Sequence, residues 1–133
     1  MANQSIQTLP AEATADAAIL TAWERRKEAF FGIDEMVVAA GLSGDEAKAA
    51  EDAYFAQIGE AEAEIARRTA TTLAGLAPQL WISLHLTIGD MPRDIENAII
   101  NQDLDWLEAR TDQFDSGARL TMAALRSLKA MGA

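Results

Sequence analysis

Over residues 16–40 large apolar side chains recur near the seven-residue interval, at Leu20, Trp23, Phe30 and Val37, while Glu24, Arg25, Glu28 and Glu35 fall between them. That period predicts an amphipathic helix. Thr14 and Asp16 are both suitable N-caps, and Gly41 suits the position just past the last turn. Ser43-Gly44-Asp45-Glu46 then has capping-box spacing, with the serine hydroxyl and the glutamate each taking one free N–H. The second helix, 44–68, carries Ala47, Ala50, Tyr54, Ile58, Ala61 and Ile65 at intervals of three and four. Its alanines imply close helix approach, and the short linker folds it back antiparallel on the first helix.

The next stretch, TATTLAGLAPQLWISLHLTIG (69–89), has no charge except a possible proton on His85. Three readings compete. A membrane span needs about 20 predominantly apolar residues, but threonines, Ser83, Gln79, His85, Pro78 and two glycines interrupt this run. A strand would explain why Ile82, Leu84, Leu86 and Ile88 alternate with Trp81, Ser83, His85 and Thr87. A lone strand leaves its backbone groups unpaired, however, and the sequence offers no second one. A helix capped by Thr71 or Thr72 places Leu73, Leu76, Ala77, Leu80, Leu84 and Ile88 on one face, widened by Trp81, Ile82 and Leu86. We therefore expect a buried helix over 72–88, with a kink near Ala74 or a fresh start at Pro78, whose ring removes one N–H.

Gly89-Asp90-Met91-Pro92 marks a turn. Beyond it Ile100, Leu104, Leu107, Thr111, Phe114, Ala118, Thr121, Leu125 and Leu128 form a helical seam within 94–131, weakest at Asn101-Gln102-Asp103 and Ser116-Gly117. That leaves open one long helix or two pieces, the second capped by Asp103. Ile95, Ile99 and Trp106 lie off this seam and suggest a second buried side. The expected fold is all-α: an N-terminal arm (1–15), then a single helical-bundle domain (16–133) made of a long antiparallel hairpin, an apolar helix and a long C-terminal helix.

Composition narrows the chemistry. The chain of 133 residues suits one domain, and half of its residues are apolar, enough to fold without metal or disulfide staples. It has no cysteine, which excludes thiolate zinc sites and cysteine nucleophiles and removes any argument for an oxidising compartment. The first residues lack the basic and continuous apolar regions of a secretory signal, so a cytoplasmic location is expected. A formal charge of −10 argues against direct nucleic-acid binding and suits a cationic partner. Residues 90–115 hold eight acidic and two basic side chains, and 116–133 hold three basic and no acidic ones. Such a gradient also complements a helix dipole.

Asp105, Glu108, Asp112 and Asp115 form a candidate acidic ridge if they share one helix. Facing Glu60 or Glu64, such carboxylates would hold magnesium, as in all-α nucleotide pyrophosphohydrolases. The paired-acid signatures of those enzymes are missing here, so the stripe reads first as a solvated face and no metal or cofactor is assigned. His85 is the only histidine and reads as a core or interface residue. Trp23, Trp81 and Trp106 read as core anchors. Arg25-Arg26-Lys27 and Arg67-Arg68 read as solvated helix surface. No Walker, dinucleotide or nucleophile-elbow motif is present.

Asp16-Ala17-Ala18-Ile19-Leu20 with Trp23, Glu51-Asp52-Ala53 through Ile58, Glu62 and Ile65, and Thr69-Ala70-Thr71-Thr72-Leu73-Ala74-Gly75-Leu76-Ala77 together resemble a group of short, uncharacterised bacterial helical proteins often met near mobile elements. In that group the last motif usually continues with Ala-Lys, where Pro78-Gln79 stands here. The resemblance implies a helical hairpin followed by a third helix, and no activity. The expectation for function is a non-catalytic protein-interaction module, forming a homodimer through an apolar patch of Trp106, Ile95, Ile99 and Trp81. The alternatives are an acidic inhibitor that mimics nucleic acid and binds a basic protein, or a magnesium-dependent all-α hydrolase.

Overall fold

The computed structural model describes residues 11–133, with side chains from Asp16 onward. Every regular element among them is helical, so the chain is all-α. In order these are α1 (Ala11–Gly32), α2 (Gly44–Arg67), α3 (Leu73–Ile88), α4 (Arg93–Ile100), α5 (Leu104–Glu108) and α6 (Ser116–Ala130). A π-helical segment, Ile33–Ala39, continues α1, and a 3₁₀ turn, Thr111–Gln113, precedes α6. The described chain divides after Thr69 into two compact units, where a single domain was expected. No helix among the described residues is long and apolar enough to cross a membrane.

In the N-terminal unit α1 and α2 form an antiparallel hairpin: Arg26 meets Glu62, and Gly32 lies against the ring of Tyr54. Helix α1 is already under way at Ala11, so neither Thr14 nor Asp16 caps it; residues 1–10 of the expected arm lie outside the described residues. Its buried stripe is Asp16, Ile19, Ala22, Trp23, Arg26 and Ala29, continuing to Val37, whereas Leu20 is 44% exposed. Trp23 and Val37 are thus inside as the spacing suggests, while Ile19 and Ala29 take the buried places expected of Leu20 and Phe30.

The hairpin turns as the glycines require. Gly41 has φ +71°, and the bonds Leu42 N–H to Val37 O (3.1 Å) and Gly41 N–H to Val38 O (3.2 Å) close a Schellman end. Ser43 takes the N-cap position of α2 in extended conformation, but its side chain makes no capping bond. Gly44, which follows it, is left-handed at φ +61°. On α2 the expected seam is realised at Ile58, Ala61 and Ile65, all buried, and is half-buried at Ala47, Ala50 and Tyr54.

The C-terminal unit gathers around α3. Thr72 caps it, its hydroxyl accepting from Gly75 N–H at 3.0 Å, and the helix runs without a break through Pro78 to Gly89. Pro78 leaves the Ala74 carbonyl without its usual donor, and Ala74 is exposed, so water can satisfy that group. The buried side of α3 is Gly75, Pro78, Trp81, Ile82, Leu84 and His85, not the Leu73–Leu76–Leu80 face; Leu76 and Leu86 are exposed. Its main partner is α6, which runs antiparallel to it, so that Gly117 approaches Thr87.

The long C-terminal helix expected from the seam is instead four short pieces. The first break is at Gln102, whose backbone is left-handed at φ 54°, with Asp103 N–H bonded to Ala98 O at 2.8 Å. Asp103 then caps α5 by accepting from Trp106 N–H at 3.2 Å. A second break follows Glu108, and Asp115 caps α6 by accepting from Ala118 N–H at 2.9 Å. Breaking the chain twice lets Ile95, Ile99, Leu104, Leu107, Phe114, Leu125 and Leu128 all turn inward, which a straight helix of that length cannot do in so small a unit.

A Cβ on Gly32 would lie 2.4 Å from Cε1 of Tyr54. Gly32→Ala is therefore expected to destabilise the hairpin by about 1 kcal/mol, the overpacking outweighing the helix gain of roughly 0.5–1 kcal/mol. In a Tyr54→Ala background the same change should stabilise, which urea denaturation of the four-member cycle will read.

Candidate functional site

Two features of the N-terminal unit carry chemistry beyond packing. The first is Arg26, 1% exposed inside the hairpin. Its Nε donates to Glu62 Oε2 at 2.8 Å, and its guanidinium lies 5.3 Å from the Trp23 ring centroid and 4.9 Å from that of Phe30. A guanidinium tolerates burial where a carboxylate and aromatic faces replace its water. Arg26 therefore stands in the core, not on the surface where its neighbours Arg25 and Lys27 suggested it would be. The signal available in sequence was its i−3 and i+4 spacing to Trp23 and Phe30.

The second feature is the closed end of the hairpin. Met36, Val38 and Phe55 are 55%, 62% and 53% exposed. Phe55 follows the residue that packs on Gly32, and Met36 and Val38 lie one to two turns farther along, in the π-helical segment. The acidic residues Glu35, Asp45 and Glu46 at this end are exposed. At the other end of α2, Arg68 donates to Glu64 Oε1 from Nη2 at 2.7 Å and from Nε at 2.9 Å, and Arg67 pairs with Oε2. The Arg68 hydrogen bond, aided by both positive charges against partial desolvation, holds the Glu64 carboxyl below its ordinary value.

The residues singled out by sequence are dispersed in the structure. Ile95 (5% exposed), Ile99 (0%) and Trp81 (4%) are core residues, and do not form an apolar patch with Trp106. Trp106 is half-buried beneath Arg110, whose guanidinium lies 3.6 Å from the ring centroid and donates to the Trp106 carbonyl at 2.8 Å. The acidic ridge does not share one helix. Asp105 and Glu108 on α5 face Lys129 (3.6 Å) and Arg126 (3.4 Å) of α6, Asp112 is in the 3₁₀ turn, and Asp115 caps α6. His85 is buried, with Nε2 3.1 Å from Glu96 Oε2, which links α3 to α4. Among the described residues no group of three or more His, Cys, Asp or Glu side chains gathers closely enough to hold a metal ion.

The C-terminal unit also contains a cavity of about 220 Å³, lined by Ala77 and Trp81 of α3, Leu104 of α5, Leu125, Leu128 and Lys129 of α6, and by Gln102 and Ala133. Gln102 is the residue held left-handed, a conformation that costs a non-glycine side chain about 1–2 kcal/mol. The equivalent position after α6 is filled by Gly132, at φ +104°.

No family model, curated protein or solved structure matches this chain.

Arg26→Lys keeps the charge but loses the planar group, and is expected to cost about 1–3 kcal/mol, seen as faster amide hydrogen exchange in α1 and α2. The depressed Glu64 carboxyl supplies stability that is present above its ordinary value, near 4.5, and is lost as pH falls through the folded value. In an NMR titration Glu64 should have a midpoint below that value, and Arg68→Ala should raise that midpoint toward normal, Arg67 still holding part of the shift.

Proposed function

We propose that the chain is a non-catalytic protein-interaction module that pairs with a second copy of itself through the closed end of the α1–α2 hairpin. The observation that carries this reading is that Met36, Val38 and Phe55 of the hairpin are each more than half exposed. Fully burying a side chain of this size is worth about 1.5–3 kcal/mol, and a two-fold interface buries each of them twice. Against it stands like charge: the sequence of the N-terminal unit has thirteen acidic and six basic side chains. Exposed charges more than about 8 Å apart are largely screened at physiological salt, so the apolar gain prevails. The cysteine-free composition accords with a cytoplasmic setting.

An acidic mimic of nucleic acid has less support. It needs a continuous row of free carboxylates, whereas Asp105 and Glu108 face basic groups and Asp115 is a helix cap. A magnesium-dependent hydrolase has less still: Glu64, one of its two alternative ligands on α2, is held by two arginines, and no group of three or more His, Cys, Asp or Glu side chains gathers among the described residues.

Light scattering on the full chain should give a dimer whose association strengthens as salt rises, since salt screens the acidic rims. Phe55→Ser with Met36→Ser should return it to monomer with unchanged helical circular dichroism. A monomer under all conditions would overturn the reading. Association that weakens with salt and appears only with a basic protein would point to the mimic instead.

A further inference from the structure

We propose that His85 and Glu96 form a proton-operated clasp, which tightens α4 against α3 when the medium turns acidic. The imidazole is 10% exposed in the last turn of α3, and its Nε2 lies 3.1 Å from Oε2 of Glu96 in the first turn of α4. The two groups thus stand at complementary helix ends: a positive charge is favoured at the C-terminus of α3 and a negative one at the N-terminus of α4. The carboxylate is 34% exposed, so water helps to keep it ionised. With a neutral imidazole the contact is at most a hydrogen bond; a proton on the ring makes it an ion pair as well. Burial works the other way by disfavouring the charged ring. A carboxylate in direct contact and a helix C-terminus stand against that penalty, and together they prevail.

Other charges near the clasp are engaged or open to water. No second titratable side chain lies on α3. On α4 the remaining charged groups are Arg93 and Asp94, both exposed, and Asp94 Oδ1 accepts from Ile95 N–H. On α6, Arg126 and Lys129 pair with Glu108 and Asp105, Arg119 donates to the Thr111 carbonyl, and Asp115 caps the helix. Asp90, in the turn between α3 and α4, is exposed. The Glu96 carboxylate is thus the charge that a proton on His85 engages.

What the clasp holds is apolar. Ile95, Ala98, Ile99 and Ile100 form the buried side of α4, so a looser α4 brings isoleucine side chains toward solvent. Their burial keeps the helix in place at every pH, and the proton adds an increment to it. Helix α4 is eight residues long and Pro92 at its N-cap makes no side-chain capping bond, so it has little stability of its own. The ion pair belongs to the docked helix alone. Its increment is fully present where an ordinary histidine is charged, below about pH 6.5, and is lost as pH rises through the point at which the clasped ring gives up its proton.

The chain has one histidine, so its ring protons give a single NMR titration. Glu96→Gln, which keeps the shape and removes the charge, should move the midpoint to lower pH. Amide hydrogen exchange of the full chain, corrected for its intrinsic pH dependence, should show α4 about tenfold better protected, relative to α6, at about pH 5.5 than at about pH 8. Glu96→Gln and His85→Gln should each abolish that difference. If His85→Gln disturbs the fold by circular dichroism, Glu96→Gln and the titration carry the test. An unmoved midpoint in Glu96→Gln, α4 protection equal at both pH values or greater at the higher one, or a difference that survives Glu96→Gln would each overturn the proposal. Neither variant touches the hairpin, so failure here leaves the dimer reading untouched, and the reverse also holds.

Discussion

A guanidinium cannot be taken out of water without substitutes for its hydration, and in the hairpin those substitutes come from both helices. Trp23 and Phe30 lie on α1 with Arg26, while Glu62 lies on α2. The charge is accommodated only when the two helices meet in one register; a slip of one turn would place a buried cation against apolar side chains. Hydrophobic seams of alanine and isoleucine are tolerant of such slips, because neighbouring turns look alike. Arg26 removes that tolerance. The same register sets Tyr54 on Gly32 and leaves Phe55, Met36 and Val38 outside at the closed end.

The C-terminal unit solves a different problem. It must enclose an apolar helix, α3, with little chain, and does so by folding residues 93–130 into the short helices α4, α5 and α6. Each bend is stabilised locally: Asp103 and Asp115 supply caps, and the ends of α4 and α6 both close with six-to-one backbone bonds, Asp103 N–H to Ala98 O and Ala133 N–H to Leu128 O. The ion pairs from α5 to α6 and the His85–Glu96 contact join elements that the core already places side by side.

Much of the fold was legible because helical period is a robust signal. The hairpin, its turn at Gly41 and the helix over 72–88 follow from spacing and from residues with one conformational use. The illegible parts have physical causes. Leu20 draws attention by size, yet Ile19 and Ala22 are the ones inside. Arg26 hides in a basic run whose other members are ordinary surface. The break after Glu108 carries no glycine or proline, and its cue, Asp115 before Ser116, is visible only once one doubts that Leu107 and Phe114 belong to the same helix. The acidic ridge was an artefact of that assumption: a stripe exists only if the axis beneath it is straight. The cavity was illegible for a simpler reason, since it is assembled from three separate helices and two residues outside them.

The π-helical segment Ile33–Ala39 gives the hairpin a property its α-helical parts lack. A wider coil contains slack: more residues are spent per turn than the rise demands, so chain length can change there while the axis keeps its course. Losing or gaining a residue would be taken up by tightening or loosening that coil, leaving Arg26 opposite Glu62. The outward side chains beside Val37 would rotate to new bearings. A lineage bearing such a segment can thus retune the tip of its hairpin by single insertions and deletions, without renegotiating the core below.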